Sequence, residues 1–307
     1  MIMVEDQNTT SQVRPLSVGV LVLNYNTWDI ALRAMDAAIG LESNAVNEYV
    51  LFDDGSATPP PTGIDPRIRL IRGGTNRGFA RALKAAFSEM KSDVVVLFDS
   101  DAYPLVPFAA RVRERFESDE RLGQLGFHAQ DRNGMPTESF HGEPTKWSLL
   151  AGQGLYALIS RQTQTSSNLC VFTCCMATRR EAYEQAGGFD ENFDWLDVDI
   201  DYSMRLRRNG WRAETDPSLK AFHEGGGTPQ LRRNRVLRYY KSRWYLLRKH
   251  GLITNIGTAR AVILARLHVE RAILRLFGRV LFPDREVLAD KIAGRRELLS
   301  YCRENLR

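Results

Sequence analysis

Paired carboxylates follow two apolar runs of this 307-residue chain. Asp53 and Asp54 come directly after YVLF, and Asp99 and Asp101 come after DVVVLF. Since side chains two residues apart in an extended segment point to the same side, Asp99 and Asp101 bring two carboxylates together. Such hard oxygen ligands suit Mg²⁺ or Mn²⁺, either of which can bridge to a diphosphate. The alternative is an exposed acidic turn that binds nothing.

The densest acidic cluster of the chain lies further on. Its six members fall within twelve residues: Asp190, Glu191, Asp194, Asp197, Asp199 and Asp201. Acidic residues before a helix and arginines within it fit the helix dipole, but capping explains only one or two of the six. A carboxylate held among others has a raised pKa and can act as a general base, with an arginine such as Arg205 to orient it.

Three shorter motifs could also contact a ligand. Asp54 in DDGS could accept hydrogen bonds from a nucleobase or ribose, or could belong to an ordinary Asp-Gly turn. Asn76, Arg77 and Gly78 begin a helical segment, where they could meet a phosphate or simply cap the helix. His223 precedes a run of glycines, and its imidazole could be a third metal ligand or a structural side chain.

The elements that must position these residues alternate along the chain. Short apolar runs predict strands at 17–23, 49–52, 68–72 and 93–98. Helical spacing predicts helices at 28–40 and 78–91. This alternation predicts parallel βαβ units and a doubly wound α/β sheet, in which ligands bind at the carboxyl ends of the strands. NYN, with Asn24 and Asn26, joins DDGS and DSD at such strand ends.

Charge is unevenly distributed along the chain. Residues 1–227 carry 23 Lys/Arg and 31 Asp/Glu, whereas residues 228–307 carry 19 and 6. An acidic body could hold cations, and a basic tail could meet the phosphates of lipid or nucleic acid. Four cysteines without zinc spacing, no apolar leader and no apolar window of about 18 residues predict a cytoplasmic protein. The basic tail leaves peripheral contact with the inner face of the membrane open.

The ordered motifs resemble the family 2 glycosyltransferases of the GT-A fold, in particular their rhamnosyltransferase-like branch. They occur as LNYN, DDGS, NRGFA, DSDA, CCMATRREAYEQAGGFDENFDWLDVDIDYSMRLRRNGW and HEGGGT. The resemblance implies a Rossmann-like, mostly parallel sheet with flanking helices and a helical C-terminal extension. It also implies an inverting, metal-assisted displacement that moves a sugar, such as rhamnose, from a dTDP- or UDP-linked donor to a glycan or lipid-linked acceptor.

The resemblance assigns roles to individual residues. Asp99, Asp101 and His223 would bind the Mg²⁺ or Mn²⁺ ion. Asp199 would deprotonate the acceptor, with Asp197 as a competing base because Val198 stands where the family often has Glu. The remaining substrate-binding set would be Asn24, Asn26, Asp53, Asp54, Asn76, Arg77, Gly78, Asp201 and Arg205.

The expected organisation has three parts. Residues 1–16 would be a flexible N-terminus, and 17–228 the catalytic domain, with a nucleotide-binding half at 17–103 and an acceptor half at 104–228. Residues 229–307 would be a basic helical region.

Within the basic region, 256–282 has the spacing of an amphipathic helix. Its predicted apolar stripe is Ile256, Ile263, Leu267, Leu274, Phe277 and Leu281. The stripe could lie on an anionic membrane, pack on the catalytic domain or pair in a homodimer.

Two other functions compete with sugar transfer. A sugar nucleotidyltransferase would need a Gly/Arg/Lys-rich loop after the first strand, which LNYNTWD lacks. A non-enzymatic binder of nucleic acid or membrane could use the basic tail, where aromatic residues interleave with basic ones at 239–245. The acidic body opposes a nucleic-acid partner.

Overall fold

The structure, a computed structural model, describes residues 14–42, 44–152, 155–156, 167–224 and 232–306. The predicted segment 1–16 lies mostly outside these residues, and the predicted boundary near residue 228 lies wholly outside them.

Strands and helices follow one another along the described chain. The strands are β1 Val18–Asn24, β2 Glu48–Asp53, β3 Ile68–Arg72, β4 Val94–Phe98, β5 Ala102–Pro104, β6 Leu122–Gln130, β7 Phe140–Gly142, β8 Leu169–Val171, β9 Cys175–Arg179 and β10 Arg212–His223. The helices are α1 Trp28–Leu41, α2 Phe79–Ser88, α3 Ala109–Ser118, α4 Trp147–Leu150, α5 Arg180–Gln185, α6 Val198–Arg208, α7 Arg232–Lys249, α8 Ile256–Leu281 and α9 Arg285–Asn305.

Eight of these strands form one sheet, in the order β3-β2-β1-β4-β9-β6-β10-β5. The first four strands of that order are mutually parallel, and β6 and β10 are parallel to each other. β9 runs antiparallel between β4 and β6, and β5 runs antiparallel along the end of β10. The expected α/β fold with a mostly parallel sheet is confirmed, and the antiparallel strands lie beside the acidic motifs.

The central strands form because their residues suit burial on both faces. Every residue of β1 (VGVLVLN) and β4 (VVVLF) is buried, as expected for parallel strands covered by helices on each side. One apolar core packs α1 and α3 against the sheet, and a second packs α2, α5 and α6 against its other face. The sheet is therefore a rigid platform that fixes the positions of its strand ends.

The C-terminal helices are joined to this platform through α7. Leu246 of α7 is fully buried in the core beneath α6, whereas its neighbour Leu247 is fully buried in a third core. That third core lies among α4, α7, α8 and α9. One helix thus contributes to both the catalytic body and the tail.

The predicted apolar stripe of α8 is only partly correct. Ile263 and Leu267 are fully buried and Leu274 is 8% exposed, but Phe277 is 57% and Leu281 53% exposed. The helix carries apolar residues on more than one face, and the positions of α7 and α9 decide which face is covered. No helix in the described part of the chain is long and apolar enough to cross a bilayer.

Candidate active site

The ends of β1, β2 and β3 meet around one buried carboxylate. Their register sets Asn24 opposite Asp53, and Asp53 opposite Arg72. Asn24 Nδ2 donates to Asp53 Oδ1 at 2.8 Å, and Arg72 Nε donates to Oδ2 at 3.1 Å. Asn26 binds the same loop, because its Oδ1 accepts from the amide of Ala57 at 2.9 Å. Three predicted contact residues (Asn24, Asn26 and Asp53) therefore tie the strand-end loops together.

Asp54 differs from Asp53 because one of its oxygens, Oδ1, accepts no hydrogen bond and lies 3.9 Å from Arg77 Nε. The Arg77 amide donates to Asp54 Oδ2 at 2.9 Å, whereas Oδ1 is buried with no hydrogen-bond partner. Burial raises the pKa of Asp54 above its ordinary value. The next residue, Gly55, has φ 80°, and a Cβ there would lie 2.6 Å from the Thr75 carbonyl carbon. Only glycine lets the two loops approach, and their junction leaves an acceptor for a ligand donor.

The start of α2 adds a backbone site beside Asp54. Gly78, with φ 83°, occupies the N-cap, and no side chain of the described residues caps the first turn. Asn76 is not the cap; its Oδ1 instead accepts from the Gly78 amide at 2.8 Å. The Arg77 guanidinium lies 5.6 Å from the centre of the Phe52 ring. The uncapped amides of α2 and this cation are suited to a phosphate group.

Three predicted metal ligands come together at the end of β4. The antiparallel pairing of β10 with β5 sets His223 opposite Ala102, directly after Asp101. One potential ligand atom from each of Asp99, Asp101 and His223 lies within 4.8 Å of the others. Nε2 of His223 lies 3.9 Å from Oδ1 of Asp101. The fold therefore brings together residues 124 positions apart in sequence.

The electrostatics of this cluster fit a divalent cation. Asp99 Oδ1 and His223 Nδ1 are buried with no hydrogen-bond partner. Burial, with the nearby charge of Asp101, raises the pKa of Asp99 to about 7. Among the described residues, no lysine or arginine pairs with either aspartate. Two carboxylates and an imidazole without a cationic partner form a donor set that suits Mn²⁺ or Mg²⁺.

Asp199 lies in the first turn of α6 with no cationic partner among the described residues. Its Oδ1 accepts from the Ile200 amide at 2.8 Å. Burial raises the pKa of Asp199 to about 7, and the charges of Asp197 and Asp99 add to this effect. Asp199 is therefore a carboxylate available to a proton.

Asp197, the competing base, is held differently. It is the N-cap residue of α6 and has a left-handed backbone, with φ 64°. Arg243 of α7 binds both its oxygens, at 2.8 Å to Oδ1 and 3.1 Å to Oδ2. Both side chains are buried, and the hydroxyl of Ser242 binds the carbonyl of the preceding residue, Leu196. The ion pair leaves Asp197 neutralised.

Asp201 is also neutralised, on the underside of α6. Its carboxylate is fully buried and accepts from Arg205 Nε at 2.8 Å. Lys249 Nζ and His250 Nε2 each lie 2.8 Å from its other oxygen. Arg205 also binds the carbonyls of Ala186 and Gly188. The structure thus places Asp201 and Arg205 in a buried network, apart from Asp199.

Sequence reasoning missed the basic residues of α7 that hold this loop. Arg243 pairs with Asp197, and Lys249 bridges Asp201 to Asp190, lying 2.6 Å from Asp190 Oδ2. Tyr245 also donates to Asp190 at 2.9 Å. The available signal was the segment RYYKSRWYLLRKHG, where basic and aromatic residues alternate. Their partners lie about fifty residues earlier, beyond the reach of local patterns.

The fold is a mixed, mostly parallel sheet, and at its strand ends Asp99, Asp101 and His223 could bind a metal ion. This combination is typical of the GT-A class of glycosyltransferases. The chain belongs to glycosyl transferase family 2, whose family model matches residues 19–187, more than half of its length. It is an enzyme that transfers a glycosyl group, as the ordered motifs predicted.

Curated relatives agree with this class. The chain is 25% identical over 217 residues to the N-acetylglucosaminyl-diphospho-decaprenol L-rhamnosyltransferase of Mycobacterium tuberculosis, covering 61% of this chain and 69% of that protein. It is 25% identical over 237 residues to the probable N-acetylgalactosaminyltransferase 9 of Caenorhabditis elegans, covering 68% of this chain and 39% of that protein.

Solved structures share the fold. A mannosyltransferase from Pyrobaculum calidifontis, in complex with GDP-Man and Mn²⁺, has a TM-score of 0.58 and 17% identity. The match covers 95% of this chain and 88% of that one. A GalNAc transferase with UDP, GalNAc and Mn²⁺ has a TM-score of 0.53 and 16% identity, covering 76% and 50% of the two chains.

Proposed function

We propose that this glycosyltransferase moves a sugar, with inversion, from a nucleoside diphosphate to a hydroxyl of a glycan or lipid-linked acceptor. The observation that carries the proposal is a set of carboxylates with no lysine or arginine partner among the described residues: Asp99 and Asp101, which cluster with His223, and Asp199. Such a set can hold the metal ion of a metal diphosphate and accept a proton.

The chemistry is a single displacement. Asp199 takes the proton of the acceptor hydroxyl as its oxygen attacks the anomeric carbon, and the bond from that carbon to the diphosphate breaks. A bound Mg²⁺ or Mn²⁺ would supply charge neutralisation for the departing diphosphate. Asp99, Asp101 and His223 would hold that ion. The solved neighbours with Mn²⁺ and nucleotide sugars support this donor class.

Asp199 is a better candidate for the base than Asp197. The bidentate pair with Arg243 engages both oxygens of Asp197, so neither is free to take a proton from an acceptor. Asp199 has a pKa near neutrality, which suits proton transfer at physiological pH. We assign Asp201 and Arg205 a supporting role beneath α6, in place of the predicted contact with substrate.

The donor site would use Asp54 for the nucleobase or ribose and the start of α2 for phosphate. The buried Oδ1 of Asp54, which accepts no hydrogen bond, supports the first assignment, and the uncapped amides after Arg77 and Gly78 support the second. Asn24, Asn26, Asp53 and Asn76 would shape these loops. The halves 17–103 and 104–228 would then serve donor and acceptor.

The printed activity of the mycobacterial relative favours rhamnose as the sugar and a polyprenyl-diphosphate sugar as the acceptor. A role in cell-envelope polysaccharide synthesis follows from that proposal. The choice between dTDP and UDP, homodimer formation and the cytoplasmic location stay predictions. Family membership removes the sugar nucleotidyltransferase and the non-enzymatic binder as alternatives for the catalytic body.

A panel of nucleotide sugars tests the function. Glycosyltransferases slowly hydrolyse their own donor, so one of dTDP-rhamnose, UDP-sugars or GDP-mannose should be hydrolysed when Mn²⁺ or Mg²⁺ is present. Adding a polyprenyl-diphosphate N-acetylglucosamine acceptor should accelerate use of the correct donor. Absence of binding and hydrolysis across the panel with both metals would overturn the proposal.

A further inference from the structure

Helix α8 carries a second apolar face that no described residue covers. Its inner face packs mainly against α9 and α4, and Ala259, Ile263 and Leu267 lie in the third core. Leu274 of the same helix is also buried. Its outer apolar residues are between 41% and 83% exposed: Val262, Val269, Ile273, Leu276, Phe277, Val280 and Leu281. Five of them, Val262, Val269, Ile273, Leu276 and Val280, lie on one side of the helix, and we refer to these five residues as the outer face.

The outer face is a continuous stripe. Val262, Val269, Ile273, Leu276 and Val280 follow one another at intervals of seven, four, three and four residues, which keeps them on one side of a helix. From Val262 to Val280 the stripe is about 27 Å long at 1.5 Å per residue. Scattered exposed apolar residues are normal, but a stripe of five on one helix indicates a surface that docks.

Charge beside the stripe limits what can dock there. Arg275 and Arg279 are exposed and lie one helical turn apart on the side of α8 next to Leu276 of the outer face. Glu270 is the only acidic residue of α8, and its two oxygens bind Arg266 and Arg295. The outer face therefore presents apolar side chains beside exposed arginines, and α8 has no acidic residue free to pair with them.

We propose that the outer face of α8 binds the surface of an anionic membrane. Apolar side chains would enter below the headgroups while Arg275 and Arg279 meet lipid phosphates. A second copy of the chain is a poorer occupant, because it would present the same arginines without an acidic partner. The apolar residues belong to a helix that packs on its other side, so it would lie along the surface. This proposal does not depend on the identity of the acceptor.

Vesicle flotation of the full-length protein tests the proposal. Vesicles of phosphatidylcholine alone are compared with vesicles that also contain phosphatidylglycerol, at low and raised salt. The wild type should float with the anionic vesicles and lose binding as salt rises. Leu276→Gln with Val280→Gln should weaken partitioning about tenfold. Arg275→Gln with Arg279→Gln should weaken it about thirtyfold on anionic vesicles.

Matched controls separate docking from general effects. Met135→Gln removes an apolar side chain that is 62% exposed elsewhere, and Arg33→Gln removes an exposed arginine of α1; both should bind like the wild type. Leu276 and Val280 are 76% and 83% exposed, so circular dichroism and thermal melting should be unchanged in their variant.

Three outcomes would overturn the proposal. The first is no flotation of the wild type with anionic vesicles, and the second is flotation that neither double variant changes. The third is a wild-type dimer that Leu276→Gln with Val280→Gln converts to a monomer in light scattering while flotation is unaffected, which would identify a second copy as the occupant.

Discussion

Two groups of aspartates in this molecule differ in their partners. One group, at the end of β4 and in the first turn of α6, is Asp99, Asp101 and Asp199; the other, on α6 where α7 packs, is Asp197 and Asp201. Asp99, Asp101 and Asp199 have no lysine or arginine partner among the described residues, and Asp101 has only the imidazole of His223 nearby. Asp197 and Asp201 are both buried, and each pairs with basic residues at α7. Arg243 pairs with Asp197, whereas Lys249 and the following His250 pair with Asp201. Sequence places Asp199 between Asp197 and Asp201, so the fold alone separates them.

The difference shows how to tell reactive from structural carboxylates in a crowded acidic segment. A buried carboxylate that lacks a counter-charge has a raised pKa and is poised for a metal or a proton. A buried carboxylate that binds an arginine through both oxygens is fixed in position, so its role is to hold the adjoining backbone in place. The number of acids in the segment carries less information than the partner that each one has.

The largest effect should follow the loss of Asp199. Asp199→Asn keeps the shape but cannot take a proton, so transfer should fall about a thousandfold while donor binding is retained. Turnover and donor affinity are measured separately, by product formation and by calorimetry. Asp194→Asn, in the same loop with its side chain 72% exposed, is the control and should remain active. Near-normal transfer by Asp199→Asn would remove the basis of the comparison.

Arg243→Met should mainly affect stability. Leaving Asp197 buried without its partner should lower the free energy of unfolding by about 3 kcal/mol or more, as measured by denaturant titration. Arg238→Met, on the exposed side of the same helix, should cost less than about 1 kcal/mol. If Arg243→Met were as stable as Arg238→Met, the pair would not be the support that the structure indicates.

Asp101→Asn tests the carboxylates that are proposed to bind the metal ion. Removing one of three ligands should weaken Mn²⁺ binding about a hundredfold, which paramagnetic resonance of the free ion can follow. Chelation of the metal should abolish donor hydrolysis in the wild type. Asp36→Asn, on the exposed surface of α1, should bind Mn²⁺ like the wild type. Equal affinity in the two variants would place the metal elsewhere.

The smallest effect should come from pH. Since the pKa of Asp199 is raised to about 7 and the base acts only when ionised, transfer should fall as pH decreases through this pKa. A cation bound at Asp99 would lower the pKa of Asp199, so the midpoint of the pH–rate profile is expected at or below pH 7. Below the midpoint the rate should drop about tenfold per pH unit. A rate that stays constant down to about pH 5 would argue against Asp199.

The strand ends were predictable because alternating apolar runs fix parallel strands and their common edge. β1, β3 and α1 occur within one or two residues of their predicted positions. The pairing of Arg243 with Asp197 was not predictable, because it joins residues 46 positions apart through the docking of α7. The left-handed backbone of Asp197 was also hidden, since nothing in LDVD requires it.

The pair between Asp197 and Arg243 also has a consequence for synthesis of the chain on the ribosome. Residues up to His223 include all the proposed donor and metal residues and both candidate bases. Arg243 is made later, so a nascent chain can complete its sheet while Asp197 is still uncompensated. The loop that carries Asp197 gains its ion pair with Arg243 only after α7 has left the ribosome and packed against the sheet domain. We therefore expect the strand-end residues of the donor side to be positioned before Asp197 gains its ion pair with Arg243.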